Sequence, residues 1–304
     1  MSDKKSYAYF IGGIVICLLG SIFFSTKAIF VKLAYREAPV DAITLLALRM
    51  LFSLPFFIVS AFVSSQKSDN VKFTGKQWLG IALVGCLGYY VSSLLDFMGL
   101  KYISAGIERL VLFIYPTFVL LMSALVFRST ISVRQWLALL ITYSGLLIAF
   151  WGEAHVEDAS GDFYKGALLI FMCAITYAMY IVGSGRLIPS VGAAKFNSYA
   201  MSFAAAAVLL HFFVTSSNSL WDQDGSTYLY SLLMAILGTV IPSYLVTWGI
   251  KRVGSNNAAI VGSIGPVSTI LQAYFFLQEP IHALQIAGTV LILAGVLMIS
   301  MKKK

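Results

Sequence analysis

Apolar residues run through this chain in long, nearly unbroken stretches, unlike the alternation of a half-buried strand or the one-sided stripe of a surface helix. Ten stretches stand out: 10–33, 43–64, 78–99, 105–127, 135–151, 166–185, 195–215, 228–249, 257–277 and 283–300. Each has the length of a bilayer crossing, which takes about 20 residues with a range of about 17–25. Even the shortest, 135–151, spans about 25 Å at the helical rise. The breaks between them carry Pro, Gly, Ser, Asn and charge, as turns do. The runs are too long and continuous for the weak dyad pattern of a β-barrel strand. The pattern therefore predicts an all-α membrane protein with ten transmembrane helices. Lys4 and Lys5 before the first run resemble a signal peptide, but the run continues past Phe24 and no A-x-A-like cleavage site follows, so it reads as the first helix.

Composition agrees with the pattern. Of 304 residues 59% are hydrophobic and only 11% charged, against roughly 25% charged in a typical soluble domain. A soluble chain of this size needs more polar surface, so a soluble enzyme, a disordered chain and a nucleic-acid-binding domain are excluded. The net charge of +8 separates by loop. Alternate loops and termini on one side carry Lys4, Lys5, Lys67, Lys72, Lys76, Arg128, Arg134, Arg186, Lys195, Lys251, Arg252, Lys302, Lys303 and Lys304. The other side carries Arg36, Lys101 and Lys165, with Lys32 at its boundary, and most of the acid: Glu37, Asp41, Glu153, Glu157, Asp158, Asp162, Asp222, Asp224 and Glu279. The positive-inside rule then places both termini in the cytoplasm and the chain in the cytoplasmic membrane.

An internal repeat runs at an offset of 150 residues. Leu87/Leu237, Gly88/Gly238, Ser93/Ser243, Gly99/Gly249, Lys101/Lys251, Pro116/Pro266, Ile131/Ile281, Gln135/Gln285 and Gly145/Gly295 all match without a gap. The third to fifth helices thus correspond to the eighth to tenth. Five helices separate each pair, an odd number, so the copies cross the membrane in opposite senses. This predicts two inverted five-helix repeats, residues 1–152 and 163–304. Inverted repeats are the architecture of secondary transporters, in which two near-equivalent packings open to opposite sides.

Several segments resemble the EamA-type transporters of the drug/metabolite transporter superfamily, and the resemblance covers nearly the whole chain. "GSIFFSTKAIFVKLA" is similar to the family's glycine–aromatic–lysine first helix, and "LLALRMLFSLP" to its A-x-R-F pattern near Arg49. "LKYISAGIERLVLFIYPTFVLLMSALVF" and "VGSNNAAIVGSIGPVSTILQAYFFLQEPIHALQIAGTVLILAGV" resemble its repeat helix and closing signature. The resemblance implies ten helices, cytoplasmic termini, a cavity between two five-helix halves and carriage of small metabolites, with amino acids and related compounds foremost. There are two departures. Ser129 stands where the family has Glu, whose counterpart Glu279 is kept, and the pair Glu108–Arg109 replaces small or apolar residues.

Ionisable residues within spans are costly and mark function by default. Here they are Lys27, Lys32, Arg49, Asp96, Glu108 and Arg109, all in the outer half. Lys27 and Arg49 lie about 9 Å below the outer boundary, and Asp96, Glu108 and Arg109 about 5 Å. Lys32 can snorkel. The remaining five either pair with one another as an outer gate or meet substrate. Arg49 suits a carboxylate or phosphate because its planar fork binds such groups bidentately, and Lys27 with Arg49 is the expected anion contact. Asp96 and Glu108 are the candidate proton carriers, with a proton as a candidate coupling ion.

Helical spacing adds polar faces: Tyr89, Ser92, Ser93 and Asp96; Thr239, Ser243 and Thr247; Glu108 with Tyr115; Thr176, Tyr180 and Ser184. Tyr115, Tyr180, Tyr244 and Trp248 are the aromatic candidates for the site. Pro116 and Pro266 are expected to kink the fourth and ninth helices; Pro55 and Pro242 add further bends. Cys17, Cys86 and Cys173 lie in spans as packing residues. His155 and His282 fall in outer loops and His211 near a helix end. No HExxH, CxxC or phosphate-cradling GxxxxGK[ST] motif occurs, so neither cofactor nor metal is called for and ATP-driven transport by this chain alone is unsupported. The expected partners are the bilayer, a small-molecule substrate and no nucleic acid. A flippase for a lipid-linked substrate is the alternative. A membrane-embedded enzyme lacks a nucleophile–base or metal constellation, and a receptor lacks a signalling domain.

Overall fold

A computed structural model describes residues 2–66, 72–128, 130–156, 161–278, 281 and 283–300. Among them the backbone is helical, joined by short turns, with no strand. The helices are α1 (Ser2–Glu37), α2 (Ala42–Ser65), α3 (Gly75–Gly85), α4 (Ser92–Gly99), α5 (Ala105–Leu112), α6 (Tyr115–Phe127), α7 (Val133–Val156), α8 (Gly161–Val191), α9 (Ala193–Thr215), α10 (Gly225–Ala235), α11 (Ile241–Val261), α12 (Gly265–Gln272) and α13 (Ala283–Ser300). Helix starts carry local caps where the sequence supplies them: Asp41 accepts from the Thr44 N–H at 2.8 Å, Thr74 and Gln77 close a capping box, and Ser104 accepts from the Ile107 N–H at 3.1 Å.

Seven described stretches are long and apolar enough to cross a bilayer. One of them, Gly225–Phe276, has 52 residues. As one straight rod it would measure about 78 Å, more than twice the roughly 30 Å of a bilayer core. It is divided at Gly254, whose φ of 79° and ψ of 162° lie outside helical space and suit only a residue without a Cβ. Val133–Ala149 and Ala283–Met298 are shorter apolar helices.

The interruptions recur at a spacing of 150. Eleven-residue α3 and eleven-residue α10 each run into a π-helical segment, Cys86–Val91 and Ile236–Val240. Thr239 uses its side chain there, donating to the Met234 carbonyl five residues back at 2.9 Å. Extended backbone at Ser104 matches the break at Gly254. The turn at Phe113–Ile114 matches the 3-10 turn Gly262–Ile264. Left-handed Arg128 matches left-handed Gln278.

These breaks correct one expectation. Pro116 and Pro266 do not sit within a continuous helix; they occupy the first turn of α6 and α12, just after the turns. A proline there loses no helical hydrogen bond, because its N–H would be unpaired anyway. Pro55, by contrast, lies inside α2.

Packing pairs matching elements. α1 lies along α11 as α8 lies along α4, α2 packs on α9, and α7 on α13. The α7–α13 contact is close enough for backbones to touch: a Cβ on Gly145 would come within 2.6 Å of the Gly288 carbonyl oxygen, and one on Gly288 would strike that of Gly145. The loops also sort into two groups. Glu37 accepts from Tyr230, Asp41 from Asn218, and Lys165 donates to Tyr102. Elsewhere Gln77 reaches Ser190, Gln135 reaches Asn257, and Arg252 stacks over Tyr9. Glu279, Glu157, Asp158 and Ser129 lie outside the described residues, as does His282.

Candidate functional site

Five buried ionisable side chains converge from α1, α2, α4 and α5. Lys27, Arg49, Asp96, Glu108 and Arg109 are each at most 3% exposed. Lys27 Nζ pairs with Asp96 Oδ2 at 2.7 Å, and Arg109 Nε with Glu108 Oε2 at 2.9 Å. The second pair is unusual in its spacing, since adjacent residues on a helix normally point apart. Both side chains turn to the same polar interior because burial leaves them no alternative. Glu108 sits in the first turn of α5, where the helix dipole favours an acid.

Arg49 has no carboxylate partner among the described residues. Its Nη2 donates to Ser93 Oγ at 2.9 Å, its guanidinium covers the Phe97 ring at 5.0 Å, and its Nε has no hydrogen-bond partner. From α1, Tyr35 donates to the Phe97 carbonyl at 2.9 Å. With both carboxyls ionised, three cations face two acids.

Beside this cluster lies a narrow, partly open chamber of about 40 Å³, bounded by α1, α4, α5, α6, α8, α11 and α12. Lys27, Arg109, Tyr115 and Tyr177 reach its wall; Asp96, Glu108 and Arg49 do not. That volume holds roughly three waters, so a metabolite enters only when helices part. Two hydrogen bonds join the halves across it: Tyr115 OH donates to the Ala259 carbonyl and Ser25 Oγ to the Gly265 carbonyl, both at 3.0 Å.

The aromatic candidates divide. Tyr115 lines the chamber. Tyr180 is buried behind it, edge-on to Tyr89 at 5.0 Å and stacked on Tyr177 at 5.8 Å. Tyr244 is half-buried and bonds Ser198 at 3.0 Å, away from the chamber. Trp248 is 42% exposed on the outer surface of α11, so its ring is not brought to the charged cluster. It lies at i+4 from Tyr244, and the two rings pack at 5.8 Å. Many of the helical hydroxyls bond their own backbone, as Thr176, Ser184 and Thr247 do.

Three residues escaped the sequence reading. Tyr177 was legible as the i−3 neighbour of Tyr180. Ser25 stands in the quoted first-helix segment. Asn197 is fully buried and donates to Ser243 Oγ at 3.0 Å; an ionisable-only search passes over it. Among the described residues no group of three His, Cys, Asp or Glu side chains is placed to hold a metal.

The EamA-like transporter family matches residues 11–151 and again 164–301. The chain belongs to the EamA-like transporter family. Relatives of this EamA protein include the uncharacterised transporter YcbK of Bacillus subtilis, 32% identical over 91% of this chain and 88% of that one. The uncharacterised inner membrane transporter YicL of Salmonella typhimurium is 21% identical over 96% of both chains. A solved crystal structure, 18% identical, superposes with a TM-score of 0.75 over 94% of this chain and 96% of that one, a likeness of fold. The EamA chain is thus a multi-pass helical membrane protein of a transporter family, and its buried charges sit in such a fold.

Proposed function

We propose that this EamA protein is a secondary transporter that carries a small metabolite across the cytoplasmic membrane by alternating access. The carrying observation is the narrow chamber, walled by elements of both halves and bearing the buried cations Lys27 and Arg109. Counting the 52-residue stretch as two crossings and adding the two shorter helices makes ten, with residues 1–152 and 163–304 as inverted repeats. The recurrence of helix breaks at a spacing of 150 supports that division, and the loop charges support cytoplasmic termini. Amino acids and related compounds are the cargo class to which the resemblance points. Lys27, Arg49, Asp96, Glu108 and Arg109 form the binding and gating group, Tyr115 bridges the halves, and Asp96 or Glu108 carries a coupling proton.

Uptake of labelled metabolites by proteoliposomes, with and without a pH gradient, tests this reading. Gradient-dependent flux of at least one soluble metabolite is expected. One observation favours a second reading. An apolar groove of about 280 Å³, lined by Leu110, Phe113, Ile114, Tyr143, Leu146 and Leu147, opens beside α5 and α7, and Phe113 also lines the chamber. A lateral path past Phe113 suits a flippase for a lipid-linked substrate; translocation of such a lipid without flux of any soluble metabolite would establish it.

A further inference from the structure

The chamber wall has one sign of charge. Lys27 and Arg109 present to it, while their partners Asp96 and Glu108 stand off the wall behind them. Arg109 is 2% exposed, and its Nη2 has no hydrogen-bond partner among the described residues. A buried guanidinium nitrogen left unpaired is costly and calls for an acceptor. Four aromatic rings share the wall with small and aliphatic residues: Phe113 meets Tyr115 at 5.4 Å, Tyr115 meets Tyr177 at 5.1 Å, and Tyr177 meets Phe24 at 5.9 Å.

We infer that the chamber recognises its cargo by an anionic group set between Lys27 and Arg109, with an apolar body against the rings, so that the cargo class is an organic anion. This rests on the transport reading and, for the same site, sets organic anions in place of the amino acids to which the resemblance points. An ammonium group entering the chamber meets two cations and no exposed acid, so an amine is repelled and a zwitterion carries one charge without a partner. The anion completes the hydrogen bonding of Arg109 and offsets the excess of three cations over two acids.

Calorimetric titration of the purified full chain in nanodiscs with four probes sharing one ring tests the inference: benzoate, phenyl phosphate, phenylalanine and phenethylamine. Benzoate or phenyl phosphate binds most tightly, and which of them does so identifies the anionic group as carboxylate or phosphate. Phenylalanine binds at least about tenfold more weakly and phenethylamine more weakly still. The double variant Lys27→Gln/Asp96→Asn removes a wall cation together with its partner, so no buried charge is stranded; it weakens anion binding at least about tenfold while the melting temperature is retained. If that variant fails to fold, Glu108→Gln/Arg109→Gln takes its place with the same expectation. Phenylalanine or phenethylamine binding as tightly as the anions, unchanged anion affinity in the folded double variant, or no binding of any probe overturns the inference. Proteoliposome uptake separates the two failures. Flux confined to cationic or zwitterionic metabolites contradicts the anion assignment alone, whereas no flux of any metabolite contradicts the transport reading.

Discussion

Lys27 and Tyr180 occupy matching places in the two halves, for each packs on the glycine of the other half's π segment, Gly238 and Gly88. Arg49 and Asn197 match in the same way, donating to Ser93 and Ser243. At the spacing of 150, Asp96, Glu108 and Arg109 face Val246, Ala258 and Ala259. The first half is therefore charged at five places where the second is neutral. Yet the second half forms the same π segment, the same breaks and the same helix pairings. The same scaffold forms without the charges in the second half, as expected if the five residues have the proposed site role.

The largest test of this contrast is to strand a charge. Lys27→Gln leaves Asp96 buried without its cation and is expected to cost about 3–5 kcal/mol, whereas Tyr180→Phe at the matching place costs roughly 1 kcal/mol or less. Melting of purified protein measures both, and the double variant Lys27→Gln/Asp96→Asn should recover most of the loss. Next comes Arg49→Gln against Asn197→Ala. The first should lower transport at least about tenfold, in keeping with a charge-assisted contact; the second removes one neutral hydrogen bond, worth about 1 kcal/mol, with transport within about threefold. Initial uptake rates decide this pair.

Where the halves are alike, substitutions should act alike. Gly145→Ala and Gly295→Ala both force a Cβ toward a backbone carbonyl of the facing helix, Gly288 and Ala138 respectively. Each should cost about 1–3 kcal/mol by overpacking, read as a similar fall in melting temperature. A large difference between them would mean that the α7–α13 contact is not shared evenly. The smallest effect is expected at Trp248, whose exposed ring can become Phe with uptake changed less than about twofold, as for an ordinary surface substitution.

Much of this was legible in the residues. Uninterrupted apolar length marked the crossings, and the gapless match from Leu87 and Leu237 marked the recurrence later seen in the backbone breaks. Buried charge is rare enough in apolar spans that Lys27, Arg49, Asp96, Glu108 and Arg109 could be picked by type alone, and all five converge. Pairing was not legible, because it depends on helix rotation. The face drawn through Tyr89, Ser92, Ser93 and Asp96 is entered by a π segment that ends at Val91, and its two serines part: Ser93 meets Arg49 while Ser92 meets Cys173. Trp248 shows the same dependence on rotation: it packs on the half-buried Tyr244 at i+4, yet its own ring is 42% exposed. Proline position misled because Pro116 and Pro266 look alike at the centre of an apolar run or at the first turn of a new helix.

The most direct measurement is exchange of labelled metabolites by proteoliposomes holding three proteins side by side: the unaltered chain, the first-half variant Lys27→Gln/Asp96→Asn, and the second-half variant Asn197→Ala. Exchange should persist in the unaltered chain and in the second-half variant, and be lost in the first-half variant although it remains folded. Undiminished exchange in the charge-neutralised protein, or equal loss in both variants, would contradict the assignment of cargo binding to the charged half.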